Sequence, residues 1–330
     1  MRIGVAGGGH LGKIHIKCIQ WLPEYELVGF FDPNPSVAEE VSKRFGVRAF
    51  PSLEDLLAEI DVLDVVSPTS THFELADKGL EAGCHVFIEK PVTSSLSACQ
   101  KLLEKENRNN GLKIAVGHNE RFNPAFLSVQ NSIKNPQFLF ANRMAPFNPR
   151  GRDVSVVMDL MIHDIDLVLL IAESAVQSVS ANGFSLQNAS YDFVNAQIVF
   201  ENGLEANLTA SRISLKPVRE LTVFQDNSYI TLDFLEKQSS FIRIADEVKE
   251  GHLHQRVIEL PKPGGSTQKI VIETTEKSDI NAIKMELKSF YQCINEKSSP
   301  LVSLKEATEA IDLAERIMDA CGDPSNHTNH

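Results

Sequence analysis

Short apolar runs alternate with segments of helical periodicity over the first 119 residues of the chain. The apolar runs have the length of buried strands and occupy positions 2–6, 27–31, 62–66, 84–88 and 113–117. Helical patterns lie between them, at 36–45, 52–59, 72–82 and 94–108. In a parallel sheet, each strand is followed by a helix that covers one face of the sheet. The alternation therefore predicts an α/β domain with a doubly wound parallel sheet over residues 1–119.

The second half of the chain has a different pattern. After a helical stretch at 155–172, apolar and polar residues alternate in long runs at 176–186, 190–200, 204–213, 217–225, 228–234 and 239–246. Such alternation is typical of antiparallel strands with one buried face. Two helical patterns, at 278–295 and 303–320, close the chain, and Ser303 followed by Glu306 predicts a capping box. We expect an α+β domain over 120–330 with a large, mostly antiparallel open sheet, whose last helices can pack back on the first domain.

A glycine-rich turn follows the first apolar run directly. Gly7, Gly9 and Gly12 satisfy the pattern G-x-G-x-x-G, with His10 and Leu11 inside it. The first glycine permits a tight turn, the second a close approach of the backbone to a pyrophosphate, and the third close packing of helix on strand. The helix N-terminus then binds the phosphates through its backbone N–H groups. In this strand–turn–helix context, the pattern predicts a dinucleotide site of the Rossmann type.

An acidic residue ends the second apolar run, about twenty residues after the glycine turn. A carboxylate at this place, Asp32, accepts hydrogen bonds from ribose hydroxyls and repels a 2′-phosphate. Residues 33–36 include no arginine to hold that phosphate, and Arg44 is more simply a solvated helix residue. We therefore predict NAD rather than NADP as the cofactor.

The composition and charge of the chain argue against some classes of binding partner. The 330 residues carry a net charge of −12, which argues against nucleic acid or an anionic membrane as a partner. A local arginine cluster can still bind an anionic substrate. The five cysteines are scattered without C-x-x-C spacing, so they favour reduced thiols and a cytoplasmic location. We expect no signal peptide and no membrane span, since the chain starts with a strand and its apolar runs are short.

Polar residues follow the apolar run at 62–66, at the sheet edge where ligands of doubly wound folds bind. Ser67, Thr69 and His72 can therefore face the cofactor. The alternative is that a hydroxyl of residue 70 or 71 caps the next helix while His72 is solvated. Position alone favours neither reading.

The tripeptide Glu89-Lys90-Pro91 follows the strand pattern at 84–88. This position puts Lys90 at the carboxyl edge of the sheet, on the side of the glycine turn. A lysine there can polarise a hydroxyl or carbonyl, or donate to a developing alkoxide. A surface lysine before a proline is the alternative that the tripeptide alone leaves open.

Ionisable residues interrupt the otherwise apolar helical stretch at 159–171. Asp159, His163 and Asp166 stand at i, i+4 and i+7, which places them on one helix face. A helix that is apolar almost all round is buried, so ionisable groups on it are paired or functional. We predict that Asp159 orients His163 to accept a proton near neutral pH, and that Asp166 is structural. We predict no metal, because a third ligand of suitable spacing is not evident.

Together these motifs resemble the Gfo/Idh/MocA family of sugar oxidoreductases. The resemblance covers nearly the whole chain and includes residues 117–124, which match the family's crossover from strand to helix. It implies that Lys90, Asp159 and His163 flank the reacting carbon beside the nicotinamide. It also implies a homodimer or homotetramer formed through the outer face of the antiparallel sheet. The cofactor site that it implies comprises Gly7, Gly9, His10, Leu11, Gly12, Asp32, Ser67, Thr69, His72, Glu89, Lys90 and Arg121.

Within the family, residues 119–124, 143–147 and 153–164 resemble the UDP-N-acetylglucosamine 3-dehydrogenase branch. This resemblance implies oxidation of the sugar 3-hydroxyl to a ketone, for amination towards lipid A. In the sequence, arginines cluster just before the helical stretch and can hold a diphosphate bidentately. They are Arg143, Arg150 and Arg152. A solvated loop or a subunit contact explains them equally well.

Three hypotheses about the function, from different classes, are compatible with the sequence. The leading one is an NAD-dependent dehydrogenase of a secondary hydroxyl on a sugar nucleotide. The second is a dehydrogenase of a free polyol or sugar, such as inositol. The third is an NAD-binding regulator without catalysis, and the presence of Lys90, Asp159 and His163 argues against it.

Overall fold

The chain forms two compact units. The computed structural model describes residues 1–109, 111–147, 154–186, 190–245, 254–261 and 267–322. The first unit is formed by Met1–Asn119 and Asn281–Asp312, and the second by Glu120–Ile280 and Leu313–His330. The first unit is therefore built from two segments that are far apart in the sequence.

Five parallel strands form the sheet of the first unit. They are β1 (Arg2–Ala6), β2 (Glu26–Phe31), β3 (Val62–Val65), β4 (His85–Glu89) and β5 (Ile114–Gly117), in the order β2-β1-β3-β4-β5. Between them lie α1 (His10–Gln20), α2 (Pro35–Phe45), α3 (Leu53–Leu57), α4 (Thr69–Glu81) and α5 (Leu96–Arg108). The predicted doubly wound parallel sheet is confirmed. Since β2 and β3 flank β1 on opposite sides, the loops that follow β1 and β3 diverge and leave a crevice at the carboxyl ends of these strands.

Capping residues explain where the helices of this unit begin and end. The side chain of Asn34 accepts a hydrogen bond from the backbone N–H of Ser36, and Pro35 occupies the first position of α2. Gly46 ends α2 in the left-handed conformation that glycine adopts without strain. Ser95 caps α5, where its Oγ accepts a hydrogen bond from the N–H of Ala98 at 3.4 Å. The polar loops at the strand ends are therefore also the start signals of helices.

A nine-stranded sheet dominates the second unit. Its strands are β6 (Phe138–Pro146), β7 (Val176–Phe184), β8 (Phe193–Phe200), β9 (Glu205–Ser214), β10 (Val218–Gln225), β11 (Ser228–Asp233), β12 (Gln238–Ala245), β13 (His254–Pro261) and β14 (Thr267–Thr274). Their order is β13-β14-β12-β11-β10-β6-β9-β8-β7, and the β6–β9 pair is parallel while the other pairs are antiparallel. The predicted mostly antiparallel sheet is confirmed. The hydrophobic pattern does not predict β6, β13 or β14, because charged and amide side chains interrupt their apolar residues.

Helices cover one face of this sheet. After the short α6 (Pro124–Leu127), a π-helical turn at Val157–Met161 leads into α7 (Ile162–Ala172). The sequence predicts one continuous helix at 155–172, so the π-helical turn is a difference, of a kind frequent at functional sites. Helix α7 packs against β6 and β9, and its residues Ile165, Leu167 and Val168 are fully buried. This burial is expected for a helix that is apolar almost all round.

Helix α8 (Ala282–Glu296) completes the core of the first unit. Leu287 and Phe290 join the buried side chains there, and the Phe290 ring lies 5.9 Å from that of Phe87. The hydroxyl of Tyr25 donates a hydrogen bond to the carbonyl oxygen of Leu287 at 2.8 Å. The first core is therefore closed by residues from near the end of the chain.

The last helix, α9 (Leu304–Cys321), begins at the predicted capping box. The N–H of Glu306 donates to Oγ of Ser303, and the carboxylate of Glu306 accepts from the N–H of Ser303. Residues of α9 up to Asp312 belong to the first unit, and those from Leu313 belong to the second. Within the described ranges, no helix is both long and apolar enough to cross a membrane. The five cysteines are buried free thiols.

Candidate active site

The glycine turn after β1 has no room for side chains at two of its positions. Gly7 has a φ of +116°, and a Cβ there would lie 2.9 Å from backbone atoms of Val66 and Ser67. A Cβ on Gly12 would lie 1.9 Å from the carbonyl oxygen of Gly7. A Cβ on Gly9 would meet nothing within 4 Å, so this glycine faces open space. The tight turn and the close packing of helix on strand therefore both depend on glycine.

Helix α1 begins inside this turn, at His10, and its N-cap residue Gly9 provides no side-chain cap. The first backbone N–H groups of the helix are thus available to an anion. A cleft of about 880 Å³ opens here, and it is formed by the glycine turn and the ends of β2 and β3. Its lining includes Gly7, Gly9, His10, Leu11, Phe31, Asp32, Val66, Ser67 and Thr71. These residues fit the pyrophosphate and ribose of a dinucleotide.

Asp32 lies on the wall of this cleft, directly after β2. Its Oδ2 accepts a hydrogen bond from the N–H of Gly8 at 2.8 Å, and its Oδ1 accepts from the N–H of Asn34 at 2.9 Å. These bonds fix the carboxylate against the glycine turn, and each oxygen keeps a lone pair for a ligand hydroxyl. The position suits the predicted contact with a ribose.

Replacing Asp32 by alanine is expected to weaken NAD binding by about 1–3 kcal/mol, because the ribose hydroxyls lose a charged acceptor. NADP is expected to lose less affinity, since the repulsion of its 2′-phosphate is removed as well. Isothermal titration with both cofactors measures these changes. The control is Asp61→Ala, which removes an exposed carboxylate paired with Arg2 and should leave both affinities unchanged. Tighter binding of NADP than of NAD by the unaltered protein would contradict the role given to Asp32.

The residues after β3 occupy different environments. Ser67 lines the cleft, and its hydroxyl lies 2.7 Å from the hydroxyl of Thr71. Thr69 is the first residue of α4, whose N-cap residue Pro68 makes no side-chain cap. The alternative of a helix capped by residue 70 or 71 is therefore wrong. The cofactor contact predicted for Thr69 stays a prediction.

His72 is buried rather than solvated, with 1% of its surface exposed. Its Nε2 lies 2.8 Å from the carbonyl oxygen of Ser67, and its Nδ1 lies 3.0 Å from that of Pro91. Burial lowers the pKa of His72. The ring therefore joins the loop after β3 to the residue that follows Lys90. This contact gives His72 a role in holding the lysine loop, while a direct contact with the cofactor stays a prediction.

Lys90 directly follows β4 and is half-buried. The preceding Glu89 is 4% exposed, and its Oε2 accepts a hydrogen bond from the backbone N–H of Lys90 at 3.1 Å. Its other oxygen, Oε1, lies 3.1 Å from Nε2 of His15. Although burial opposes its charge, His15 and Lys90 lower the pKa of Glu89. The carboxylate therefore points into the protein, which favours a structural role over the predicted cofactor contact.

Asp159 and His163 lie near the start of the buried helical segment. Asp159 is in the π-helical turn, and His163 is in the first turn of α7. Both are partly exposed, whereas the neighbouring Met158 and Ile162 are buried. These two ionisable residues therefore lie on the more accessible side of a segment that is otherwise packed into the second unit.

Asp166 has the structural role predicted for it. Its carboxylate accepts two hydrogen bonds from Arg121, from Nε and Nη2, both at 2.8 Å. Arg121 and Asp166 are 4% and 1% exposed. Since the guanidinium is engaged with Asp166 in this way, the cofactor contact of Arg121 implied by the family resemblance stays a prediction.

Arg143, on β6, is almost completely buried, with 2% of its surface exposed. Its Nε and Nη2 donate to the carboxylate of Asp164 at 2.9 and 2.8 Å, and its Nη1 donates to Glu120 at 2.9 Å. Although burial opposes the charge, Asp164 and Glu120 raise the pKa of Arg143 above its ordinary value. These contacts argue against the predicted diphosphate contact and favour a structural role. Arg150 and Arg152 lie outside the described residues.

Comparison with protein families extends this picture to both units. A model for an oxidoreductase family with an NAD-binding Rossmann fold matches residues 1–118. A model for the GFO/IDH/MocA C-terminal domain matches residues 134–230. The chain belongs to the Gfo/Idh/MocA family. Membership explains why a glycine turn built for a dinucleotide is combined with a large open sheet.

Individual relatives of this Gfo/Idh/MocA protein agree with that assignment. The UDP-N-acetylglucosamine 3-dehydrogenase of Acidithiobacillus ferrooxidans is 40% identical over 236 residues, which are 71% of this chain and 74% of that protein. A solved structure of that enzyme has a TM-score of 0.86 at 32% identity, and the match covers 97% of each chain. The scyllo-inositol 2-dehydrogenase (NAD(+)) of Bacillus subtilis is 27% identical over 330 residues, 93% of this chain and 90% of that protein. The protein is therefore a dehydrogenase that acts on CH–OH groups with an NAD-type cofactor.

The sequence motifs of the site do not include two ionisable residues that are buried beside them. Asp64 interrupts the apolar run of β3, and His15 lies between Ile14 and Ile16 in α1. Both residues are fully buried. An ionisable residue within an apolar run requires a buried partner, and this signal in the sequence would have found them.

Proposed function

We propose that this Gfo/Idh/MocA protein oxidises the 3-hydroxyl of UDP-N-acetylglucosamine to the 3-keto sugar nucleotide, with NAD as the oxidant. The observation that carries the proposal is the similarity to the Acidithiobacillus ferrooxidans UDP-N-acetylglucosamine 3-dehydrogenase, at 40% identity and a TM-score of 0.86. The structural match covers 97% of the chain. Because the similarity includes the second unit, it bears on the substrate as well as on the cofactor.

The charge of the cleft supports NAD over NADP. The cleft lining includes the carboxylates of Asp32, Glu54 and Glu74 and one lysine, Lys78. This lysine is paired with Glu54 at 3.2 Å and with Glu74 at 3.3 Å. A 2′-phosphate on the adenosine ribose would therefore meet more negative than positive charge.

The proposed chemistry divides into a hydride transfer and a proton transfer. NAD, held by the glycine turn and Asp32, would supply the hydride acceptor for the carbinol carbon when bound. We assign removal of the hydroxyl proton to His163, with Asp159 fixing its tautomer. The ammonium of Lys90 stabilises the oxygen as negative charge develops on it. An exchange of roles between Lys90 and His163 is the alternative assignment, and a pH profile of each single variant distinguishes the two.

A free polyol is the second candidate substrate. It is favoured by the 27% identity to the scyllo-inositol 2-dehydrogenase of Bacillus subtilis, which extends over 93% of this chain. The contacts of Arg143 with Asp164 and Glu120 argue against one of the arginines predicted to bind a diphosphate, which also favours an uncharged substrate. The two candidates differ in charge, so turnover with neutral inositols and with UDP-sugars separates them.

Isotope labelling tests both the substrate and the position of oxidation. UDP-N-acetylglucosamine with deuterium at C3 is expected to transfer that deuterium to NADH and to react more slowly than the unlabelled compound. A coupled aminotransferase removes the ketone and pulls the reaction forward, and mass spectrometry of the NADH measures the transfer. The matched control carries deuterium at C4, and none of that deuterium should appear in NADH.

Other outcomes of this experiment contradict the proposal. Reduction of NAD with scyllo-inositol but with no UDP-sugar would establish the polyol reading. Tight binding of NAD without turnover of either substrate class would indicate a regulator.

Self-association through the nine-stranded sheet is part of the proposal. Phe138, Phe224 and Tyr229 lie side by side on β6, β10 and β11, with ring centroids 6.0 and 5.7 Å apart. Phe140 on the same face is 37% exposed, and Phe224 is 41% exposed. An exposed aromatic group of this kind is typical of contact surfaces. It supports the homodimer or homotetramer that the family resemblance implies.

A further inference from the structure

A group of ionisable side chains is buried beneath the end of β4, inside the first unit. It consists of His15, Asp64, Glu89 and Glu286, each at most 4% exposed. The ring nitrogens of His15 both face carboxylates, with Nδ1 2.9 Å from Asp64 and Nε2 3.1 Å from Glu89. A carboxyl group at each nitrogen favours the imidazolium form of the ring, which can donate a hydrogen bond to both. Although burial opposes this charge, Asp64 and Glu89 raise the pKa of His15 well above its ordinary value.

Glu286, on α8, is the fourth member of this group. Its carboxyl oxygens are buried, and neither has a hydrogen-bond partner within the described residues. One carboxyl oxygen of Glu286, one carboxyl oxygen of Glu89 and one ring nitrogen of His15 lie within 4.8 Å of one another. Three carboxyl groups thus surround one imidazolium, and ionising all three would leave excess negative charge away from water. Burial, followed by the charge of Glu89, raises the pKa of Glu286 well above its ordinary value.

The Glu89 carboxylate connects this cluster to the lysine loop. Its Oε2 accepts the backbone N–H of Lys90 at 3.1 Å. A Cβ on Gly117, which pairs with Glu89 across β4 and β5, would lie 2.9 Å from that carboxylate. Glu89 is therefore enclosed by His15, by Gly117 and by the backbone of Lys90. A neutral Glu286 can add a donor to this enclosure, whereas an ionised one would repel Glu89.

We propose that Glu286 is a positioning residue for Lys90, acting as a neutral acid that holds the Glu89 carboxylate against the lysine loop. The proposal rests on the role given to Lys90 under the proposed function. Because Glu286 is buried inside the first unit, its effect on Lys90 passes through Glu89. The titratable groups that interact with Glu286 are His15 and Cys18 on α1, Asp64 on β3 and Glu89 on β4. Lys90 acts on Glu89, and Lys284 of α8 acts on Cys18.

Two substitutions of Glu286 separate a neutral donor from an ionised carboxylate. Glu286→Gln keeps the size and the donor, so turnover is expected to stay close to that of the unaltered protein. Glu286→Leu removes the donor, and we expect kcat to fall about 10- to 100-fold through misplacement of Lys90, with little change in the KM for NAD. The acid limb of the kcat profile is expected to move to higher pH in Glu286→Leu, because Glu89 without a donor protonates more readily. Glu286→Gln should keep the original profile.

A matched control is available in the same unit. Glu106, on α5, is partly buried, and its carboxylate accepts a hydrogen bond from the N–H of Ile114 at 2.9 Å. Burial raises the pKa of Glu106 as it does that of Glu286. Glu106→Gln should change neither kcat nor the pH profile. Binding of NAD by every variant verifies that each one is folded.

Infrared spectroscopy tests the charge state without any substrate. The difference spectrum between the unaltered protein and Glu286→Gln at neutral pH is expected to show the C=O stretch of a protonated carboxyl. This band does not depend on which sugar the enzyme oxidises. Its absence would therefore contradict the neutral state of Glu286 whether or not the proposed substrate is correct. Kinetics can then be measured with whichever hydroxyl compound reduces NAD.

Three results overturn the proposal. The first is absence of the infrared band. The second is a loss of turnover in Glu286→Gln as large as that in Glu286→Leu, or no loss in either variant. The third is stoichiometric binding of Zn²⁺ or Mn²⁺ by the unaltered protein that Glu286→Gln abolishes, since the cluster would then be a metal site.

Discussion

Replacing Lys90 by methionine, or His163 by alanine, is expected to lower turnover by about 10²–10⁴-fold while NAD still binds. Lys90→Met keeps the length of the side chain and removes the charge that stabilises the developing alkoxide. His163→Ala removes the group that accepts the hydroxyl proton. Neither residue belongs to the glycine turn that holds the phosphates, so the affinity for NAD should change little. Turnover is measured as NADH formation with the aminotransferase present, and affinity by titration.

Control variants separate these chemical roles from general damage. Lys101→Met removes an exposed lysine from α5 and should leave turnover unchanged. Asp159→Asn keeps the size of the side chain but removes the charge proposed to orient His163, and a smaller loss is expected. If Lys90→Met and His163→Ala both turn over at near-normal rates, these residues have no part in the mechanism.

Arg143→Met is expected to destabilise the protein by about 3–5 kcal/mol, because Asp164 and Glu120 would be left as buried charges without their cation. Arg143 makes three hydrogen bonds to these carboxylates at 2.8–2.9 Å and is 2% exposed. A shift of the urea unfolding midpoint to lower concentration measures the loss. Adding Asp164→Asn and Glu120→Gln to Arg143→Met should recover part of it, since the residual charges are then removed.

Arg243→Met is the matched control for Arg143→Met. Arg243 pairs with Glu273 at 3.2 Å in the same sheet, and the two side chains are 28% and 18% exposed. A pair in contact with water contributes about 0–1 kcal/mol, so the control should unfold almost normally. An Arg143→Met protein of normal stability whose KM for a UDP-sugar is strongly raised would contradict the structural role and restore the diphosphate contact.

The first unit can be predicted from the sequence because its signals are local. Each buried parallel strand is a short apolar run, and residues such as Asn34 and Ser95 mark where the next helix starts. In the second unit, the strands with clean alternation are predicted, but β6, β13 and β14 are not. Arg143, in β6, occupies a buried position that a hydrophobic pattern assigns to an apolar residue. Its partners Glu120 and Asp164 are distant in sequence, so no local pattern reveals the pairing.

The candidate site likewise contains residues that the sequence predicts and residues that it does not. Gly7, Gly12 and Asp32 can be predicted, because a short segment contains the whole turn and the strand that follows it. The surroundings of Lys90 cannot be predicted from one segment. His15, Asp64 and Glu286 approach Glu89 from three other elements, and Glu286 follows Glu89 by almost two hundred residues. Each of these residues leaves only a local sign in the sequence: an ionisable residue within an apolar run for His15 and Asp64, and a glutamate beside Leu287 on the buried face of α8 for Glu286.

The division of the first unit into two segments affects how the protein is made. About 160 residues lie between Asn119 and Asn281, where the chain returns to the first unit. At a synthesis rate of roughly 5–20 residues per second, α8 leaves the ribosome about 10–30 seconds after β5. Until then, the apolar surface around Phe87 lacks Phe290 and is exposed to chaperones and to neighbouring nascent chains. Translation of the segment Asn281–Asp312 therefore ends the period in which the apolar core of the nascent dinucleotide-binding unit is incomplete.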